Sequence, residues 1–80
     1  MKTFQIFEDG QKFATIKAST GAAALRRAAR EYPRNACDYN CEPGEKFSIT
    51  WRACEPGQDW AASAEVNVPG RGDRSVKVFA

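Results

Sequence analysis

TFQIFEDGQKFATIKASTGAAALRRAAREYP, residues 3–33, changes its period once, and that change decides the fold. Up to Ala18 the period is two. Phe4 and Ile6 alternate with Thr3, Gln5 and Phe7, and after Asp9-Gly10 the residues Ala14, Ile16 and Ala18 alternate in the same way. Side chains of a strand point to opposite faces in turn, so both runs read as half-buried strands. Asp-Gly between alternating runs is a strong signal for a tight hairpin. At Ser19-Thr20 the pattern gives way to a helix N-cap followed by Ala, Leu and Arg, all strong helix formers. At the helical period Gly21, Leu25, Ala28, Ala29 and Tyr32 share one face, and Ala23, Arg26, Arg27 and Arg30 share the opposite one. Pro33 ends the helix. The small residues on the apolar face predict a helix lying close on a sheet.

Downstream, residues 33–45 carry no period and read as a long loop. Phe47, Ile49, Trp51 and Ala53 then alternate with Ser48, Thr50, Arg52 and Cys54, which predicts a third strand. Glu55 to Asp59 reads as a turn. Trp60, Ala62, Ala64, Val66 and Val68 alternate with Ala61, Ser63, Glu65 and Asn67, and Ser75 to Phe79 reads as a short last strand after the loop PGRGD. The order β-β-α-β-β-β predicts an α+β fold, an antiparallel sheet with one helix packed on one face. The expected inward set is Phe4, Ile6, Ile16, Leu25, Tyr32, Phe47, Ile49, Trp51, Trp60, Val66, Val68, Val76 and Val78. Phe7, Phe13 and Phe79 fall on the outer face, where Phe7 is expected to be covered by the 33–45 loop.

Eighty residues with ordinary apolar content are read as a single domain spanning 1–80. No apolar run reaches membrane length and the start of the chain lacks the pattern of a signal peptide, which predicts a cytoplasmic protein with no membrane contact. The word Cys-Glu-Pro-Gly occurs twice, at 41–44 and 54–57. With three cysteines and no histidine, the spacing matches no zinc signature, so no metal is expected. An extended strand would hold Cys41 and Cys54 roughly 25 Å apart at about 3.3 Å per residue, whereas a disulfide needs Cα atoms within about 7 Å. The repeated word therefore reads as two tight turns framing one strand, since Pro-Gly suits a type II turn.

Catalysis finds little support. Histidine, the usual base near neutral pH, is missing, and no carboxylate pair has the spacing of acid-base chemistry. The glycines around Arg71 lead into a strand rather than a helix and make no phosphate cradle. No catalytic residue, cofactor or small-molecule substrate is expected. Arg71-Gly72-Asp73 matches an integrin-binding tripeptide, but Gly-Asp also closes hairpins for local backbone reasons.

Charge distribution says more than the formal net charge of +2. Arg26, Arg27, Arg30 and Arg34 lie close together with the single acid Glu31 among them. Charged helix faces are most often simply solvated, but solvated faces usually mix signs. Arginine's planar fork suits phosphates and carboxylates, so the expected partner is nucleic acid or an acidic protein surface. Phe7, Phe13, Lys17, Arg52, Lys77 and Phe79 form a second candidate surface on the open sheet, because aromatic stacking plus cations is how sheets hold single strands. The expected partner-binding residues are Arg26, Arg27, Arg30, Arg34, Lys17 and Arg52.

The opening hairpin and small-residue helix, with Thr15-Ile16-Lys17-Ala18-Ser19 before the helix, resemble small phage-encoded type I anti-CRISPR proteins over about the first half of the chain. The resemblance implies a non-enzymatic inhibitor in the cytoplasm of a phage's host. Its partner would be a subunit of a type I CRISPR surveillance complex, with contact to nucleic-acid phosphates, and it would block target-DNA recognition or nuclease recruitment. Its alternatives are a small nucleic-acid-binding module using the basic helix face and open sheet, and a phage structural or assembly protein.

Overall fold

In the computed structural model, residues 1–34, 44, 46–70 and 73–79 are described. The strands are β1 (Lys2–Glu8), β2 (Gln11–Ala18), β3 (Phe47–Cys54), β4 (Trp60–Val68) and β5 (Val76–Phe79), with helix α1 (Gly21–Glu31) between β2 and β3. They form one sheet in the order β2-β1-β3-β4-β5, every neighbouring pair antiparallel. The fold is α+β, as the change of period predicts. The expectations for Cys37, Cys41, Arg71 and Gly72 lie outside the described residues, as does most of the 33–45 loop. A short 3-10 turn, Asp73–Ser75, precedes β5.

Local chemistry explains each boundary. Asp9 and Gly10 both take the left-handed conformation, with φ of 51° and 80°, as the tight turn between two twisted antiparallel strands requires. Thr20 caps the helix: its Oγ1 accepts from the Ala23 N–H at 3.1 Å, and its carbonyl accepts from Ala24 at 3.0 Å. The helix closes with the Tyr32 N–H donating to the Ala28 carbonyl, just before Pro33. Gln58 donates to the Glu55 carbonyl at 3.0 Å across Pro56-Gly57, where Gly57 has a φ of 75°, so the second copy of the repeated word is a tight turn leading from β3 to β4.

The core lies between α1 and one face of the sheet. Gly21, Ala24, Leu25, Ala28 and Ala29 are the buried residues of the helix. They meet Phe4, Ile6, Ile16, Trp51, Ala53, Ala62, Ala64 and Val66. Small residues on both sides let the backbones approach. A Cβ added at Gly21 would lie 3.1 Å from that of Ala62 and 3.2 Å from that of Ala61, so the missing side chain at position 21 lets the helix N-terminus sit close against β4.

Two irregularities redirect side chains from where strict alternation would put them. In the β1–β2 pair the register shifts between Ile6 and Phe7: Ile6 faces Ala14, but Phe7 faces Lys12, leaving Phe13 as the extra residue. In the β3–β4 pair Ala53 faces Ala62 while Cys54 faces Trp60, leaving Ala61 extra. A β-bulge of this kind bends its strand and re-aims the neighbouring side chains. Trp60, expected inward, therefore stands 49% exposed on the open face. Phe13, expected outward, packs on the helix side, with its ring 4.8 Å from Trp51 and 5.6 Å from Tyr32. Tyr32 itself is 39% exposed rather than buried, because the chain leaves the helix there, although its ring still meets that of Phe13 in a T-shaped contact.

Candidate functional site

The helix arginines divide by environment. Arg26 and Arg30 are exposed on α1. Arg27 is turned back on its own chain: its Nη1 donates to the Lys17 carbonyl at 3.0 Å, and its Nε lies 3.4 Å from Glu31 Oε1 one turn along. Arg34 departs furthest from the sequence expectation of an outward anchor. Only 18% of its side chain is exposed, and its Nε lies 3.0 Å from Glu8 Oε1, close enough for an ion pair although the N–H makes no hydrogen bond. Its guanidinium covers the rings of Phe13 at 4.5 Å and Trp51 at 5.0 Å. Its backbone exchanges two 3.0 Å hydrogen bonds with Gly70. Glu8 also accepts from the Trp51 indole N–H at 2.9 Å, which satisfies the one polar atom of that buried ring. Arg34 thus ties the end of the helix to the sheet, and the basic surface on α1 is smaller than the sequence suggests.

The opposite face of the sheet carries no element among the described residues. Register places one row of side chains across it: Lys12 opposite Phe7, Phe7 opposite Arg52, Arg52 opposite Ser63, and Ser63 opposite Phe79. With adjacent strands about 4.8 Å apart, this row runs roughly 19 Å across the sheet. Trp60 joins it from beside Arg52. Its ring meets Phe7 edge to face at 5.2 Å, and the Arg52 guanidinium lies 5.4 Å from its centre. At the far edge Lys77 Nζ lies 5.5 Å from the ring of Phe79, itself 48% exposed. The same face bears Lys17 opposite Thr3, and Glu65 between Thr50 and Lys77. Lys12, Lys17, Arg52 and Lys77 therefore share this face with the acid Glu65.

Arg52 and Trp60 separate two open depressions. One is lined by Phe7, Asp9, Gly10 and Thr50 together with Arg52 and Trp60; the other by Ala61, Ala62, Ser63 and Phe79 together with the same pair. Each holds about 380 Å³, at the lower end of the ~300–1,000 Å³ of small-ligand sites. Aromatic surface, a hydroxyl and a shared guanidinium come together in both. Among the described residues no three Asp, Glu or Cys side chains gather as metal ligands would, and Cys54 is a buried free thiol.

Of the residues expected on this surface, the structure brings Phe7, Arg52, Lys77 and Phe79 together and leaves Lys17 on the same face. Phe13 is on the other side. Phe7 is only half-buried, against Trp60. Sequence reasoning missed Trp60 and Lys12. Alternation assigns Trp60 to the core, and nothing in Trp60-Ala61-Ala62-Ser63 shows which alanine is the extra one. Lys12 could have been found from its place opposite Phe7, had the shift at Phe13 been visible.

Comparison of the chain with protein-family models, with curated proteins and with solved structures finds no match. Among the described residues no helix is long and apolar enough to cross a membrane.

Proposed function

We propose that this protein acts by binding rather than catalysis, and that it holds single-stranded RNA on the open face of its sheet. The observation that carries the reading is the row Lys12–Phe7–Arg52–Ser63–Phe79 with Trp60 beside it. Half-exposed rings offer stacking platforms to unpaired bases, and cations between them meet the phosphates. RNA suits the face better than DNA because each depression carries a hydroxyl, Thr50 or Ser63, within the lining, and only RNA brings a 2′-hydroxyl to bond with it. The test is fluorescence anisotropy of a labelled eight-nucleotide oligouridine. Binding should weaken as salt rises, since phosphate neutralisation releases counterions. Trp60→Ala should weaken it about 5- to 150-fold, the effect of one lost stacking contact of ~1–3 kcal/mol. The DNA counterpart should bind less tightly. No binding at low salt, or equal binding by Trp60→Ala, overturns the reading; DNA binding as tight as RNA overturns the choice of RNA.

A second reading keeps the resemblance to type I anti-CRISPR proteins: a cytoplasmic inhibitor docking on a CRISPR surveillance complex. The exposure of Arg26 and Arg30 on α1 favours it. Here the protein should ignore naked RNA, bind the purified complex and lower its affinity for target DNA, and Arg26→Glu with Arg30→Glu should abolish the effect.

A further inference from the structure

We propose, resting on the RNA reading above, that the depression beside the β1–β2 turn is a guanine pocket with Asp9 reading the base edge. Phe7 and Trp60 supply apolar ring surface, Thr50 and Arg52 line the depression on the β3 side, and Asp9 with Gly10 closes the end at the turn. Asp9 is the feature that phosphate binding does not explain. A carboxylate repels phosphate, yet Asp9, an exposed residue, is among those that line the same depression as Arg52, the central cation of the face. It faces a ligand usefully only where the ligand presents donors.

The bases differ in this respect. Guanine offers two adjacent donors on its Watson–Crick edge, N1–H and the N2 amino group, which match the two oxygens of one carboxylate. Adenine and cytosine offer one amino group beside an acceptor, and uracil one N–H between two carbonyls. A site built to accept two hydrogen bonds discriminates strongly against a ligand that cannot donate both. The neighbouring Arg52 then takes the phosphate on the 3′ or 5′ side, and the depression toward Phe79 takes the adjoining base without an acid to select it.

The backbone at Asp9 is also set by the turn. It sits with a φ of 51° in a two-residue turn followed by Gly10 at 80°, so its place at the rim follows from the hairpin rather than from a flexible loop. Asn favours this left-handed turn position at least as well as Asp, so Asp9→Asn removes the carboxylate and keeps the hairpin.

The experiment compares four labelled RNA octamers: all uridine, and the same strand with one central guanosine, inosine or adenosine. Inosine keeps N1–H and lacks the 2-amino group. The wild-type protein should bind the guanosine strand about tenfold more tightly than all-uridine, the order of one bidentate base contact. The inosine and adenosine strands should fall near all-uridine. Asp9→Asn, with a melting temperature at or above wild type, should bind all four within about twofold of one another. Equal binding of the four by wild type, or a guanosine preference that survives Asp9→Asn, overturns the pocket and leaves the RNA reading standing. Failure of every strand to bind overturns both.

Discussion

At the scale of single residues, the molecule separates cations that hold it together from cations that face outward. Arg34 belongs to the first kind. Largely covered against Phe13 and Trp51 and paired with Glu8, it is expected to matter for stability and not for binding. Arg34→Ala should destabilise the fold by about 1–3 kcal/mol, the cost of leaving a partly buried charged partner less well satisfied, measured by urea unfolding, while RNA affinity changes less than twofold. A large affinity loss at unchanged stability would assign Arg34 to the binding surface after all. Nothing in residues 33–45 announced this inward turn, because the sequence shows no period there and the partner, Glu8, is distant along the chain. Arg52 is of the second kind, and its place on the outer face was legible from the alternation of β3 alone, although its position opposite Phe7 was not.

At the scale of elements, the hairpin, the helix with its Thr20 cap, and the strands β3 and β4 all follow from local patterns: two-residue alternation, Asp9-Gly10, a run of helix formers, and the turn at Pro56-Gly57. The register shifts were not legible. An extra alanine among alanines, as at Ala61, changes no hydrophobic contrast, yet it moves Trp60 from the core to the open face. Phe13 shows the same limit, since an aromatic residue reads as apolar on either face. The link between β4 and β5 depends on a further position. At Gly70 a Cβ would run into the Asn67 carbonyl and the Ser75 side chain, and the Gly70 backbone carries the bonds to Arg34. Gly70→Ala should therefore cost about 1–3 kcal/mol through overpacking. Thermal melting checks this, and an unchanged melting temperature would mean that the 68–75 segment yields freely.

At the scale of the whole molecule, α1 covers one face of the sheet and leaves the other to carry Lys12, Lys17, Arg52 and Lys77 around Phe7, Trp60 and Phe79. The small net charge of +2 hides this, because the cations collect on surfaces while the formal sum counts the whole chain. If three or four of them meet phosphates, log affinity should fall with log salt at a slope of about −2 to −3, and Arg52→Ala should make that slope shallower by about one contact. A slope near zero would remove the phosphates from the interaction. The candidate site was thus half readable: Lys17, Arg52, Lys77 and two of its rings could be assigned to the outer face, but Lys12 and Trp60 could not, and the rows that join them exist only once register across the strands is set. The most direct measurement is a map of backbone amide chemical shifts during titration with the oligouridine octamer. The expected result is that changes gather at Phe7, Arg52, Trp60, Ser63 and Phe79 and spare Arg26 and Arg30. Changes concentrated on α1, with the open face silent, would contradict it.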